Sequence, residues 1–331
     1  MSRQRLSVVL SFRNEAEVIP ELIDRLVKAI EPTGLDYELV FVNDASTDAS
    51  LAVLEEHRAR NPRIKVLTMS RRFGVAPCVM AGFQWARGDA VVYMDTDLQD
   101  PPELIPTLVA RWREGADVVY TVRTDRQGES RVKLAITRAA YRLIQRVSSI
   151  ALPVEAGDFK LLSRRVVDEL LRLGEQDLYM RGLVSWVGFR QVAVPYERQP
   201  RGAGTTHFPL LGSMGPLTTF VAGFTSFSHA PLVLSLLLGI AFGGLAKLVL
   251  VGMLVAWLVG APPSAAAVLV TLGVLCWASI LCGIGVLGLY VARIHREALA
   301  RPRWVVESAI GFAASGARSE PKASEVHQDG A

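Results

Sequence analysis

Asp95 and Asp97 stand one residue apart directly behind the apolar run Ala90–Met94, with Gln99 and Asp100 following. A lone Asp-x-Asp is ordinarily a solvated turn. Placed at the end of a buried strand and trailed by Gln99 and Asp100, it reads instead as a site for a hard divalent cation, Mg2+ or Mn2+. Such an ion takes one or two carboxylates and keeps its other positions for water and phosphate oxygens. A second polar group, Asn43-Asp44-Ala45-Ser46-Thr47-Asp48, also follows an apolar run. Asp44 could accept a hydrogen bond from a nucleobase N–H, although Asn-Asp behind a strand is also ordinary turn chemistry. Asp48 heads a helical stretch and reads as a cap, and Pro101-Pro102-Glu103 reads as a helix start.

The elements that must position these groups are short runs rich in β-branched residues: Leu6–Phe12, Tyr37–Val42, Ile64–Met69, Ala90–Met94 and Asp117–Val122. They are predicted to be buried strands. Between them lie segments with helical spacing, such as Ile19-Leu22-Ile23-Leu26-Val27-Ile30, so the order is β-α-β-α and the sheet mostly parallel. In sheets of this class ligands bind beyond the carboxyl ends of the strands. There stand Ser11-Phe12-Arg13-Asn14-Glu15, the Asp44 group, the Asp95 group and Arg123. Neither GxGxxG nor GxxxxGK[ST] occurs at a strand end, which argues against a dinucleotide dehydrogenase or a P-loop nucleotidase.

Half of the 331 residues are hydrophobic and the mean hydropathy is +0.29. The excess is concentrated: from Gly202 to Ala292 the only formal charge is Lys247. Pro231–Val259 and Ala266–Val291 each exceed the roughly 20 helical residues that cross about 30 Å of hydrocarbon, and Gly260-Ala-Pro-Pro-Ser264 turns between them. A two-span hairpin is predicted. Arg293, Arg296, Arg301 and Arg303 follow the second span, whereas the turn is uncharged, so both ends are expected on the cytoplasmic side. Met1–Arg5 leads straight into the first strand and shows no export signal. The expected organisation is a cytoplasmic catalytic domain over 1–200, an interfacial segment over 201–229, two transmembrane helices within 230–291, and a basic segment with a disordered tail over 292–331. Cys78, Cys276 and Cys282 have no metal or redox spacing. The net charge of +4 comes from basic residues mixed with acidic ones, which favours attraction to a membrane surface over nucleic acid.

The order Asn14-Glu15, then Val42-Asn43-Asp44-Ala45-Ser46-Thr47-Asp48, then Met94-Asp95-Thr96-Asp97-Leu98-Gln99-Asp100-Pro101-Pro102-Glu103 resembles the inverting family 2 glycosyltransferases of GT-A fold. Within them the chain is similar to the polyprenyl-phosphate and dolichol-phosphate hexose synthases. These also show Ala156-Gly157-Asp158-Phe159, Arg181-Gly182-Leu183, Trp186-Val187-Gly188-Phe189 and a C-terminal pair of spans. The resemblance implies an α/β GT-A catalytic domain acting on a UDP- or GDP-linked sugar and a polyprenyl phosphate. It implies that Ser11, Arg13, Glu15, Asp44, Asp95 and Arg201 bind the donor and that Asp95, Asp97 and Gln99 hold the metal. Arg123, Lys133 and Thr137 would bind the acceptor phosphate, and Asp158 with Arg123 would serve the chemistry; a homo-oligomer is a further possibility. The chain departs from the usual pattern at Ser11-Phe12-Arg13, where Pro-x-Tyr is usual, at Ala45, where Gly is usual, and at Thr206-His207, where relatives carry Ser-Lys. Two rival readings are a processive polysaccharide synthase, whose Gln-x-x-Arg-Trp signature is missing, and a non-catalytic membrane scaffold or flippase component.

Overall fold

The computed structural model describes residues 4–123, 156–176, 178–196, 230–260 and 264–312. The chain starts with β1 (Arg5–Phe12), α1 (Ile19–Ile30), β2 (Asp36–Asn43), α2 (Ser50–Arg60), β3 (Ile64–Met69), α3 (Val75–Trp85), β4 (Ala90–Asp95), α4 (Ile105–Arg113) and β5 (Val118–Arg123). It continues through β6 (Ala156–Ser163), α5 (Arg164–Arg172), α6 (Met180–Trp186) and β7 (Gln191–Tyr196). The long helices α7 (Ala230–Leu258) and α8 (Ala265–Ala298) precede β8 (Val306–Ile310). The strands form one sheet in the order β7-β5-β6-β4-β1-β2-β3-β8. β4, β1, β2 and β3 are parallel, β6 runs antiparallel between β4 and β5, β7 is parallel to β5, and β8 is antiparallel to β3. This is the mostly parallel α/β architecture that the strand–helix alternation predicts.

Both faces of the sheet are covered, which is why its central strands read as nearly unbroken apolar runs. Leu6, Val8, Leu10 and Phe12 of β1 pack with α1, α2 and α4 residues such as Leu22, Leu54 and Leu108. Val9, on the other face, packs with α3, α5 and α6 residues including Val79, Val166 and Leu183. A Cβ on Gly82 of α3 would lie 2.3 Å from Val9 Cγ1, so this glycine lets α3 approach β1 closely.

Three strands escape the sequence reading. In β6 the apolar run is broken by Asp158 and Lys160, β7 contains Pro195, and β8 is short and carries Glu307. The last one lies within the segment 292–331: Val306–Ile310 pairs with β3, Ser70 N–H donates to Val305 O at 3.0 Å, and Trp304 is buried with Met180 and Leu183. A five-residue strand with Glu307 and Ser308 at its centre becomes stable only by extending an existing sheet edge, a partner that local pattern does not reveal. The sheet is thus completed by chain that follows the apolar helices.

Leu237–Leu258 within α7 and Val268–Ala298 within α8 are each long and apolar enough to cross a membrane, and among the described residues neither stretch has a side chain buried inside the protein. The end of α8 is fastened to the loop between α5 and α6. Glu297 accepts the Gln176 N–H at 2.9 Å, Arg293 meets Glu175 at 3.4 Å, and Arg303 donates to Leu173 O at 2.7 Å.

Candidate active site

The carboxyl ends of β2, β1 and β4 lie in step, with Ser11 beside Val42 on one side and Asp95 on the other. Each of these strands is followed by a non-glycine residue in the left-handed region: Asn14 (φ 57°), Ala45 (φ 53°) and Leu98 (φ 57°). Such backbone is uncommon and needs support from its surroundings. For Asn14 and Ala45 the support is a set of hydrogen bonds between their two loops. Asn14 N–H donates to Ser46 Oγ, Asn14 Oδ1 accepts Thr47 N–H at 2.8 Å, and Glu15 N–H donates to Ser50 Oγ at 2.9 Å. Asp48 accepts the N–H groups of Ser50 and Ala16 and ties the two loops together just before α2, whose N-cap position is Ala49.

Arg13, expected at the donor, spends its Nη1 on the carbonyl oxygens of Asp44 and Ala45, both at 2.8 Å, and so braces the second loop. Asp44 is buried, and its carboxylate accepts the backbone N–H groups of Phe73 at 2.6 Å and Gly74 at 3.0 Å. It thereby ties the turn before α3 to the end of β2. A carboxylate with two occupied lone pairs retains acceptor capacity for a further donor. Glu15 O accepts from Val18 and Ile19 and starts α1.

Behind β4, Asp97 is buried and its Oδ1 accepts Gln99 N–H at 3.1 Å, which folds the turn back on itself. Asp100 is fully buried and accepts the hydroxyl of Tyr196, whose register partner on β5 is Arg123. Among the described residues there is no ready-made cage of three or more His, Cys, Asp or Glu side chains. Two adjacent carboxylates and an amide oxygen fit a Mg2+-type ion that keeps open positions for substrate oxygens.

The antiparallel β4–β6 register pairs Tyr93 with Lys160. Asp158 lies two residues before Lys160 on β6 and Asp95 two residues after Tyr93 on β4, and both carboxylates act on Tyr93. Asp158 is held by Arg181 of α6, with Nε to Oδ1 at 2.8 Å and Nη2 to Oδ2 at 2.5 Å. Lys160 is buried and its Nζ donates to Tyr93 Oη at 3.2 Å. Burial pushes the Tyr93 hydroxyl well up, helped by the charge of Asp158. Burial lowers the Lys160 ammonium to about 8, with Asp158 opposing that shift and Arg181 adding to it. A Cβ on Gly157 would lie 2.8 Å from Thr121 Oγ1, so the residue before Asp158 has no room for a side chain.

The structure therefore brings Ser11, Asp44, Asp95 and Asp97 to the carboxyl ends of β1, β2 and β4 and Asp158 near the amino end of the antiparallel β6, with Arg123 closing β5. Lys133, Thr137 and Arg201 lie outside the described residues. Sequence reasoning passed over the contacts of Arg181, Lys160, Tyr93 and Tyr196. One signal was available: Asp158-x-Lys160 on a strand places both side chains on one face.

A family model described as glycosyl transferase family 2 matches residues 7–171. The chain is 41% identical over 314 residues to the uncharacterized glycosyltransferase YkcC of Bacillus subtilis, covering 94% of this chain and 96% of that one. It is 37% identical over 317 residues to the uncharacterized glycosyltransferase sll0501 of Synechocystis, covering 93% and 96%. To the bactoprenol glucosyl transferase of Shigella phage SfX it is 34% identical over 310 residues, covering 92% and 99%.

Proposed function

The chain belongs to glycosyl transferase family 2, and from that premise we propose that it transfers one sugar from a nucleotide-sugar donor to a polyprenyl phosphate, inverting the anomeric carbon. The observation that carries the reading is the carboxylate pair Asp95 and Asp97 at the end of β4, next to the antiparallel β6 whose Asp158 is clamped by Arg181. Likeness to a bactoprenol glucosyl transferase over nearly the whole of both chains supports the lipid acceptor.

The chemistry needs little proton transfer. A phosphate monoester is largely dianionic at neutral pH, since its second pKa is near 6, and arrives as a competent nucleophile. One of its oxygens attacks the anomeric carbon, the bond from that carbon to the diphosphate oxygen breaks, and the electron pair leaves with the nucleoside diphosphate. An α-linked donor gives a β-linked lipid phosphosugar. Asp158, gripped by Arg181, orients the sugar and has no proton to remove.

Asp95, Asp97 and Gln99 would hold a Mg2+ or Mn2+ ion, which when bound supplies positive charge for the departing diphosphate. Asp44 and Glu15 face the nucleoside, Ser11, Arg13 and Arg201 serve the rest of the donor, and Arg123, Lys133 and Thr137 take the acceptor phosphate. The sugar carrier is UDP or GDP. Helices α7 and α8 act as two membrane spans, with the catalytic unit and C-terminus at the cytoplasmic face of a bacterial inner membrane. The charge-free turn and the four arginines from Arg293 to Arg303 support this sidedness. So does the pairing of β8, beyond α8, with the catalytic sheet.

The test uses the full chain in detergent with Mg2+, a panel of UDP- and GDP-sugars and undecaprenyl phosphate. Nucleoside diphosphate should be released from one donor only when the lipid phosphate is present. Equal release with and without lipid, or release from none of the panel, would contradict the reading.

A further inference from the structure

The transfer chemistry described above gives no task to Lys160. Its side chain is nevertheless placed with care. It is 3% exposed, lies two residues from Asp158 on β6, and is flanked in register by Tyr93 on β4 and Tyr120 on β5. Its Nζ donates to Tyr93 Oη at 3.2 Å and sits 5.7 Å from the centre of that ring. A buried cation costs stability, and an apolar side chain of similar shape generally packs there at no loss or with a gain. Fold stability alone is therefore a poor reason for this charge to sit between two tyrosines.

Its surroundings supply another. The carboxylates of Asp158 and Asp95 both act on Tyr93, the register partner of Lys160, and carboxylates gathered around one side chain repel each other. Arg181 reaches Asp158 from α6, outside the sheet, and its pairing with Asp158 leaves both side chains about one-third exposed. Lys160 approaches from within the sheet, on the same strand face as Asp158, and the two charges attract. Arg181 pairs with the carboxylate directly. Lys160, fixed by Tyr93, adds a buried positive charge two residues away on the same strand face.

We propose that Lys160 is a positioning residue for sugar transfer: tethered by Tyr93, its buried ammonium holds the Asp158 carboxylate in place. The proposal rests on Asp158 serving at the transfer site. It assigns Lys160 no contact with either substrate. Loss of the ammonium should therefore slow the chemical step while leaving ground-state binding intact, because small misplacements of an orienting group cost about 10- to 100-fold in rate.

The experiment uses the full chain in detergent with undecaprenyl phosphate and the donor that the panel identifies. Lys160→Met should lower kcat about 10- to 100-fold, with KM for both substrates and the affinity for Mg2+ and UDP or GDP held near wild type. Lys160→Arg, which keeps the charge, should recover much of that loss. Tyr93→Phe keeps the ring but removes the tether, and should lower kcat at unchanged KM by less than Lys160→Met does. Wild-type kcat in Lys160→Met would overturn the proposal, as would a parallel decline of kcat, KM and nucleotide binding. If Lys160→Met does not fold, Tyr93→Phe decides: unchanged kcat overturns the proposal and reduced kcat sustains it. Asp158→Asn separates the two levels. Wild-type turnover in that variant removes the underlying reading of the site, whereas its loss together with an indifferent Lys160→Met removes only the role of Lys160.

Discussion

Arg181 grips Asp158 at two points across 23 residues of sequence, Nε to Oδ1 at 2.8 Å and Nη2 to Oδ2 at 2.5 Å. A planar guanidinium matches the two oxygens of a carboxylate, and this fixes the carboxylate plane as well as its position. The pair is partly exposed, so its worth lies in orientation more than in stability.

Arg181→Lys keeps the charge and loses the fork. We expect kcat to fall about 10- to 100-fold while stability changes by less than about 1 kcal/mol. Steady-state rates alongside a thermal melt check this. A variant with full kcat, or one that unfolds many degrees earlier, would show that the fork does not act through Asp158.

Gly157→Ala should disturb the same carboxylate from the other side, since the new methyl would lie 2.8 Å from Thr121 Oγ1 and 3.5 Å from Tyr196 Oη. Overpacking of this kind costs about 1–3 kcal/mol. Thr121 Oγ1 also donates to Phe159 O at 2.9 Å, so Thr121→Ala has its own cost. In a double-mutant cycle the pair should be less damaged than the sum of the singles. Strict additivity would place the strain elsewhere.

The cation reading predicts that Asp97→Asn, a change of charge at nearly constant shape, abolishes turnover while the fold survives. Excess chelator should do the same to the wild type, and added Mg2+ or Mn2+ should restore it. Undiminished turnover in chelator would remove the metal from the account.

At the opposite end of the sheet, Glu38 is buried and accepts from Ser7 Oγ at 2.6 Å, Arg87 N–H at 2.6 Å and Lys65 Nζ at 2.5 Å. Burial pushes its carboxyl up, but these hydrogen bonds and the Lys65 charge outweigh burial and hold it below its ordinary value. A depressed folded value means stability that is fully present above the unfolded pKa of about 4.3 and lost as pH falls through the folded one. Glu38→Gln should lower the thermal midpoint at pH 7 and flatten its decline below about pH 4. An unchanged acid limb would show that Glu38 does not contribute to it.

How far the sequence carries the account depends on the range of the interactions. β1 to β5 were legible because burial on both faces makes them continuous apolar runs, and Asp95 and Asp97 were legible because they trail one of those runs. Arg181 and Asp158 meet only after α5 and α6 fold over the sheet, so their ion pair leaves no local trace. The motif likeness pointed to both residues without giving their contact. β6 was obscured by Asp158 and Lys160, the residues that make it functional, and β8 by needing the edge of β3 to exist as a strand.

The most direct test of the central claim is the mass of the lipid product. After incubation with the active nucleotide sugar and undecaprenyl phosphate, mass spectrometry of the organic phase should show the lipid phosphate heavier by a single sugar residue. Asp158→Asn and chelated samples should show the starting lipid alone. A polymeric product, or an unmodified lipid despite release of nucleoside diphosphate, would contradict the account.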